Sequence, residues 1–275
     1  MRQYISSVEA DNKGNLVVDG RDLKYLKQVL RLKVGNILEV RFPKGDLCSM
    51  EVQEVSFDRV LLHIKDSIQT DSKFVETGVL ASNIESSILK DCPVWLIQFM
   101  PKAQKMDLII RQAVEVGVSV ILPVNSSRNQ LKDSSNRNER WTRIIKEARQ
   151  QSGSPVATEI LPSTDLKNAL SLWKKQCGNN PCSVVLYEEV NGCFSLHEAI
   201  FNSSKKEKIS VVALVVGCEG GISNQELDSL KNEGFVPVHF NTNILRVETA
   251  ALYGLASLQT LLMEHDKWLL KEFTY

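Results

Sequence analysis

The chain lacks a hydrophobic run long enough to cross a bilayer. In its second half the longest uninterrupted one is Val211-Val212-Ala213-Leu214-Val215-Val216, far short of a spanning helix. The first residues, MRQYISSVEADNKG, contain no apolar signal core. These absences give the expectation of a cytoplasmic protein, in which the six cysteines (48, 92, 177, 182, 193 and 218) stay reduced. Cys177 and Cys182 have no second close pair to complete a zinc site, so no metal is expected. Catalytic signatures are missing too. There is no HExxH, no Ser-His-Asp order and no cluster of metal-binding carboxylates. The Gly-Lys-Ser/Thr ending of a phosphate-binding P-loop and the GxGxxG spacing of a dinucleotide site are also absent. Net charge is absent as well, since 33 Lys+Arg balance 33 Asp+Glu.

What the chain does have is an uneven distribution of that charge. From Lys102 to Arg149 there are ten Lys/Arg against five Asp/Glu, and from Val156 onward ten against fourteen. A basic segment in a neutral protein suits a nucleic-acid-facing surface; the plain alternative is a solvated helix face. The 275 residues are enough for two domains.

Residues 1–70 read as β-rich. Strands are expected at Asn15–Val18, Asn36–Phe42, Cys48–Val52 and Arg59–Ile64, with a turn at Pro43–Asp46 and one short helix at Asp22–Leu32. Several short strands around one helix suggest a small barrel. Residues 71–92 are polar and read as a linker. From residue 93 to 275 the rhythm changes to strands alternating with helices. Strands are expected at Val94–Met100, Val118–Val124, Ala157–Leu161, Ser183–Tyr187, Ile209–Val216 and Val236–Phe240. Helices are expected at Gln104–Val116, Asn138–Gln151, Asp165–Gln176, Ser195–Asn202 and Ser223–Glu233, the last opening on a capping box. This is an α/β domain with a mainly parallel sheet, whose ligands bind beyond the C-terminal strand ends.

Three loops leave those ends: Tyr187–Gly192, Gly217-Cys218-Glu219-Gly220-Gly221, and Asn241-Thr242-Asn243. The glycines allow close backbone approach to a ligand, although a structural tight turn has the same composition. Glu219 would repel a polyphosphate, so an uncharged or cationic ligand, such as an adenosine attached to a sulfonium, is expected there. After the third loop, Arg246 opens a run (RVETAALYGLASLQTLLMEH) that is apolar almost all round, as a buried helix would be. A cation at a helix N-terminus opposes the dipole. Either Glu248 and a neighbour neutralise Arg246, or it faces an anion or a polar reaction centre. Lys102 and Lys105 stand at a second helix start, where anion contact and simple solvation both remain open. Arg128 follows a strand end. His197 and His239 are isolated and read as structural.

Taken together, these residues resemble the RsmE-type rRNA methyltransferases of the SPOUT class. The carrying segments are Tyr25–Gly35, Lys102–Asp107 with Gln112–Gly117, Glu147-Ala148 with Gln151–Gly153, Gly217–Gly221, and Ile244–Ala250. The resemblance spans nearly the whole chain. It implies a PUA-like RNA-binding β-barrel followed by an α/β domain with a deep trefoil knot, an exception to the un-knotted rule. It also implies S-adenosylmethionine (SAM) as cofactor, a homodimer, and methylation of uridine N3 in small-subunit rRNA, free or in the assembled subunit. Carried over, Leu186, Tyr187 and Glu188 would form one side of the SAM pocket. Gly217, Glu219, Gly220 and Gly221 would form the second side, and Phe240, Asn241, Ile244 and Leu245 the third. Arg246 would carry catalysis by stabilising the uracil anion. Glu248 would accept the N3 proton or only pair with Arg246. Lys27, Arg31, Lys102, Lys105 and Arg128 would contact RNA.

The chain departs from the family pattern at Cys218 (usually Pro), at Phe240–Asn243 (usually Leu-Gly-Pro-Arg), at Ala103 (usually Gly) and at Ser154 (usually Arg). Asn at 241 and 243 would tolerate a positive φ in place of glycine. The departures leave a second reading, a non-catalytic RNA-binding or ribosome-assembly protein on the same scaffold. A nucleotide-dependent oxidoreductase is opposed by the missing GxGxxG.

Overall fold

The computed structural model describes residues 3–43, 46–65, 92–102, 105–126, 135–205 and 207–272. Arg128, Ala103 and the 71–91 part of the expected linker lie outside them. Among the described residues, 3–65 with 149–157 form one unit, and 92–148 with 158–272 form the other. No described helix is long and apolar enough to cross a membrane.

The first unit holds strands β1 (Gln3–Ile5), β2 (Asn15–Asp19), β3 (Ile37–Arg41), β4 (Leu47–Val55) and β5 (Arg59–Ile64) in the order β1-β3-β4-β5-β2. Period-2 alternation turns Leu16 and Val18, Leu38 and Val40, Met50 and Val52, and Val60 and Leu62 into one buried face. The helix expected over Asp22–Leu32 is shorter. Helix α1 (Gly20–Lys24) passes into a π-helical turn, Tyr25–Val29, that fully buries Leu26. The wider turn is closed by Leu30 N–H on Tyr25 O (3.0 Å) and Leu32 N–H on Leu26 O (3.1 Å). Arg31 then takes φ 52°, the left-handed position that glycine usually fills after a helix.

The second unit is a parallel sheet. Its strands are β6 (Val94–Phe99), β7 (Val120–Asn125), β8 (Glu159–Ile160), β9 (Thr164–Asp165), β10 (Pro181–Leu186), β11 (Val211–Val216) and β12 (Val236–Val238). The order is β12-β10-β11-β6-β7-β8, with β9 also on β7. Strands β6 and β11 are buried along their whole length because helices cover both faces. On one face lie α2 (Lys105–Glu115), α3 (Ser135–Ser152), α5 (Leu196–Ser204) and α7 (Val247–Glu272). On the other lie α4 (Leu166–Gln176) and α6 (Asn224–Asn232). Capping boxes open α5 at Ser195 and α6 at Ser223.

Helix α7 is not buried all round. Val247, Ala251, Leu255 and Leu258 face the core, while Tyr253 and Met263 stand exposed. Its composition is apolar on both faces, but only one face meets the sheet of its own chain. Gly254 is the point of closest approach. A Cβ there would lie 2.9 Å from Leu186 Cδ1 and 3.0 Å from Leu214 Cδ2.

Candidate active site

The C-terminal ends of β10, β11 and β12 deliver their loops to one cavity of about 400 Å³, within the range of small-molecule sites. Packing under the middle loop holds it in place. Gln98, the one amide in the apolar strand β6, is completely buried. Its Nε2 donates to the carbonyls of Phe99 (2.9 Å), Val216 (3.3 Å) and Gly217 (3.2 Å), so the end of β11 is tied to its neighbour. The chain then turns tightly, with Gly221 N–H donating to Cys218 O (2.9 Å). Gly221 has φ 69°, and a Cβ on it would come 3.2 Å from Glu188 Oε1. The positive φ favours glycine there, while the Glu188 carboxylate could yield to a Cβ by a small shift.

The third loop follows β12. Thr242 N–H donates to Phe240 O (2.7 Å), an i to i+2 closure around Asn241. Among the described residues Arg31 is the only non-glycine with positive φ. Asn241 and Asn243 therefore use no left-handed conformation, and the loop does without glycine because it turns differently. Arg246 follows. Its carbonyl accepts from Ala250 N–H (2.7 Å), which makes it the N-cap residue of α7.

The alternatives for Arg246 separate clearly. Glu248 does not neutralise it; Glu248 Oε2 lies 3.3 Å from Lys105 Nζ. The same Nζ is 3.1 Å from Glu219 Oε1, and Lys102 N–H reaches both Glu219 oxygens at 3.1 Å. Lys105, at the start of α2, thus joins the glycine-rich loop to the first turn of α7. Hydrogen bonding to Glu219 holds the Lys105 ammonium above its ordinary range, against partial desolvation, with Glu248 adding to the rise. Burial pushes the Glu219 carboxyl up, but backbone N–H groups and Lys105 outweigh it and leave it below the ordinary range. Glu219 is not the bare charge that its place in the loop suggested, since it shares Lys105 with Glu248, which itself does not line the cavity. Arg246 is exposed, lines the cavity, and has no ion pair among the described residues.

Most of the residues expected at a cofactor site come together here. Leu186, Tyr187, Glu188, Gly217, Glu219, Gly221, Phe240, Ile244 and Leu245 line the cavity, whereas Gly220 and Asn241 sit in its loops without lining it. Of the residues expected at RNA, Lys105 is in the cavity wall. Lys102 is beside it with an exposed side chain, and Lys27 and Arg31 belong to the first unit.

A model described as an RNA methyltransferase domain matches residues 89–259, and one described as an RNA methyltransferase PUA domain matches residues 18–65. The chain belongs to the RNA methyltransferase family. It is similar to ribosomal RNA small subunit methyltransferase E of Bacillus subtilis, 28% identical over 91% of this chain and 92% of that one. It is also similar to the enzyme named ribosomal RNA small subunit methyltransferase E 2 of Borreliella burgdorferi, 26% identical over 92% and 95%. A solved structure of the Neisseria gonorrhoeae methyltransferase E bound to S-adenosyl methionine aligns with TM-score 0.75 at 23% identity, over 95% of this chain and 98% of that one. The fold of this family member is a PUA-like region followed by a SPOUT-like α/β domain.

Sequence reasoning missed the wall that Lys105 builds, because its two carboxylates are far away along the chain. It also missed His239. This residue lines the cavity and sets Nδ1 3.2 Å from Tyr187 O. The lone amide of Gln98 in an apolar strand was a visible signal, since such a group must find buried partners.

Proposed function

We propose that the chain methylates N3 of a uridine in small-subunit rRNA, using SAM as methyl donor. The observation that carries this reading is the arrangement of the cavity. Three loops border a space of small-molecule size, and an arginine with no ion pair among the described residues stands at a helix N-terminus on its wall, in a chain of the RNA methyltransferase family. The residues present suit the cofactor. Gly217 and Gly221 let the backbone border the cavity, and Tyr187, Glu188, His239, Thr242 and Asn243 in its lining offer polar groups to an adenosine. When bound, SAM supplies an electrophilic methyl group on a sulfonium. The carboxylates of Glu188 and Glu219 in the cavity lining are compatible with that cation.

The chain's own residues do the rest. Uracil N3 loses its proton, and negative charge spreads to O2 and O4. The Arg246 guanidinium and the first N–H groups of α7 stabilise that charge. Glu248, whose Oε2 faces Lys105 just outside the cavity lining, either accepts that proton or serves only as the ion-pair partner that anchors the start of α7. In this reading the β10–β12 loops form a knotted SAM site, and the enzyme is a cytoplasmic homodimer. The outward apolar residues Tyr253 and Met263 of α7 support a second copy there. The substrate is rRNA, free or in the small subunit.

The test is transfer of labelled methyl from SAM to unmodified small ribosomal subunits and to free rRNA, with the modified nucleotide mapped. Label on uridine N3 is expected. SAM binding measured by calorimetry without any transfer would instead favour an RNA-binding protein that no longer methylates.

A further inference from the structure

We propose that the β4–β5 turn of the first unit is a stacking platform for an unpaired base of single-stranded RNA, with Phe57 against the base and Lys27 against the adjoining phosphate. This rests on the RNA-substrate reading above and goes beyond it to a site and a binding mode.

Phe57 sits in a tight turn closed by Ser56 N–H on Arg59 O (2.9 Å), and it is 94% exposed. Turns of this kind favour Gly, Asn, Asp or Ser. A phenylalanine there gains neither burial nor local conformation, so folding does not account for it. Lys27 is fixed beside it. Its Nζ donates to Ser56 O (3.0 Å) and lies 6.0 Å from the Phe57 ring centre. One of three ammonium donors is used in that bond, which leaves donors for a phosphate.

The surroundings have the same character. Gly35 N–H donates to Val52 O (2.8 Å) and Val52 N–H to Asn36 O (2.9 Å), which sets Lys33–Asn36 beside the turn end of β4. Val29, Val34 and Ile37 are more than half exposed. Between Gly20 and Asn36 there are five cations, Arg21, Lys24, Lys27, Arg31 and Lys33, and one acid, Asp22. Asp22 Oδ2 already accepts from the Tyr4 hydroxyl (2.9 Å). Among the described residues, Lys24, Arg31 and Lys33 have no ion pair. Arg59 pairs with Glu54 (3.4 Å), and Asp58 is the one further acid in the turn.

Exposed apolar groups interleaved with cations that have no ion pair among the described residues fit a polymer in which bases and phosphates alternate. A duplex hides the faces of its bases and has no use for Phe57. A protein partner covering the apolar groups would have to bury the cations with them. The π-helical turn at Tyr25–Val29 and the left-handed Arg31 lie in the same segment, and such irregular backbone gathers at functional sites.

The experiment uses the full chain and fluorescence anisotropy with a labelled single-stranded oligouridylate and an RNA duplex of equal length, each over a range of salt. Phe57→Ala is expected to weaken single-strand binding about 5- to 100-fold, with the salt slope and duplex binding unchanged. Phe57→Trp should restore or strengthen it. The exposure of Phe57 makes both variants fold normally, which a thermal melt checks. Unchanged single-strand affinity in Phe57→Ala, alongside a flattened salt slope in Lys27→Ala, overturns stacking and leaves RNA binding standing. No RNA binding by the unaltered chain overturns both. A change of oligomeric mass in Phe57→Ala, with RNA affinity unchanged, assigns the turn to a second copy and also overturns the proposal.

Discussion

The cavity of the second unit and the turn end of the first hold their cations in opposite ways. In the cavity wall Lys105 is committed to Glu219 and Glu248 at 3.1 and 3.3 Å. At the turn end Lys27 leans on a carbonyl, and Lys24, Arg31 and Lys33 have no ion pair among the described residues. One kind of charge thus has two uses. A cation shared between carboxylates fixes backbone segments to one another, whereas a cation without a partner is available to an anion from outside. Arg246 is the exception that gives the contrast its meaning, since it sits within the cavity and yet belongs to the second kind.

The largest effect is expected from Arg246→Ala. Loss of a positioned electrostatic stabiliser is expected to lower turnover about 10²- to 10³-fold, while SAM affinity by calorimetry stays within a few-fold. Arg246→Lys keeps the charge but loses the planar fork, so it should recover only part of the rate. Near-normal turnover in the alanine variant would remove Arg246 from the chemistry.

Next in size is Lys105→Met, which leaves Glu219 and Glu248 without their shared counter-ion. Displacing the glycine-rich loop and the start of α7 should slow turnover about 10- to 100-fold and lower the melting temperature. Combining it with Glu219→Gln should lower the melting temperature by less than the sum of the two single changes. If instead only RNA affinity and its salt slope change, Lys105 is a nucleic-acid contact. The sign of the pH dependence follows from the shifts. The lowered Glu219 carboxyl stabilises the fold above the ordinary carboxylate range, and this is lost as pH falls through its folded value. The raised Lys105 ammonium stabilises below its ordinary range, and this is lost as pH rises through its higher folded value. The joint contribution therefore persists across neutral pH, and Glu219→Gln should flatten the acid limb of a melting profile.

What the sequence made legible follows the range of the interactions involved. The buried strands Val94–Phe99 and Val211–Val216, the Ser223 capping box and the glycine turn after β11 are local patterns, and each is where its residues place it. The partner of Glu248 is not local. Proximity in sequence favoured Arg246, but Lys105 holds the carboxylate because α2 and α7 pack side by side on one face of the sheet. The same limit applies to Asn241, whose role depended on a φ value that composition alone does not give.

Gly254→Val tests the cavity from its packing side. Leu186 both lines the cavity and lies 2.9 Å from the position of a Cβ on Gly254. Alanine can be accommodated by small shifts of Leu186 and Leu214, and it gains helix propensity. Valine adds two methyl groups, and overpacking should cost about 1–3 kcal/mol in a urea melt. A valine variant as stable as the parent would show that the sheet and α7 are not in firm contact at this point.

The smallest effect, and the one that best isolates the first unit, is Arg31→Gly. Arg31, with no ion pair among the described residues, takes φ 52°. A non-glycine in that conformation costs about 1–3 kcal/mol. Glycine removes the strain but adds freedom to the unfolded chain, so a net gain of about 1 kcal/mol or less is expected. The loss of one phosphate contact should meanwhile reduce the single-strand salt slope by about 0.7. Stability and RNA affinity then move in opposite directions in one variant, as required of a strained residue kept for a ligand. A variant that loses stability, or binds RNA with an unchanged slope, would place Arg31 with the scaffold cations and remove it from the RNA-facing end.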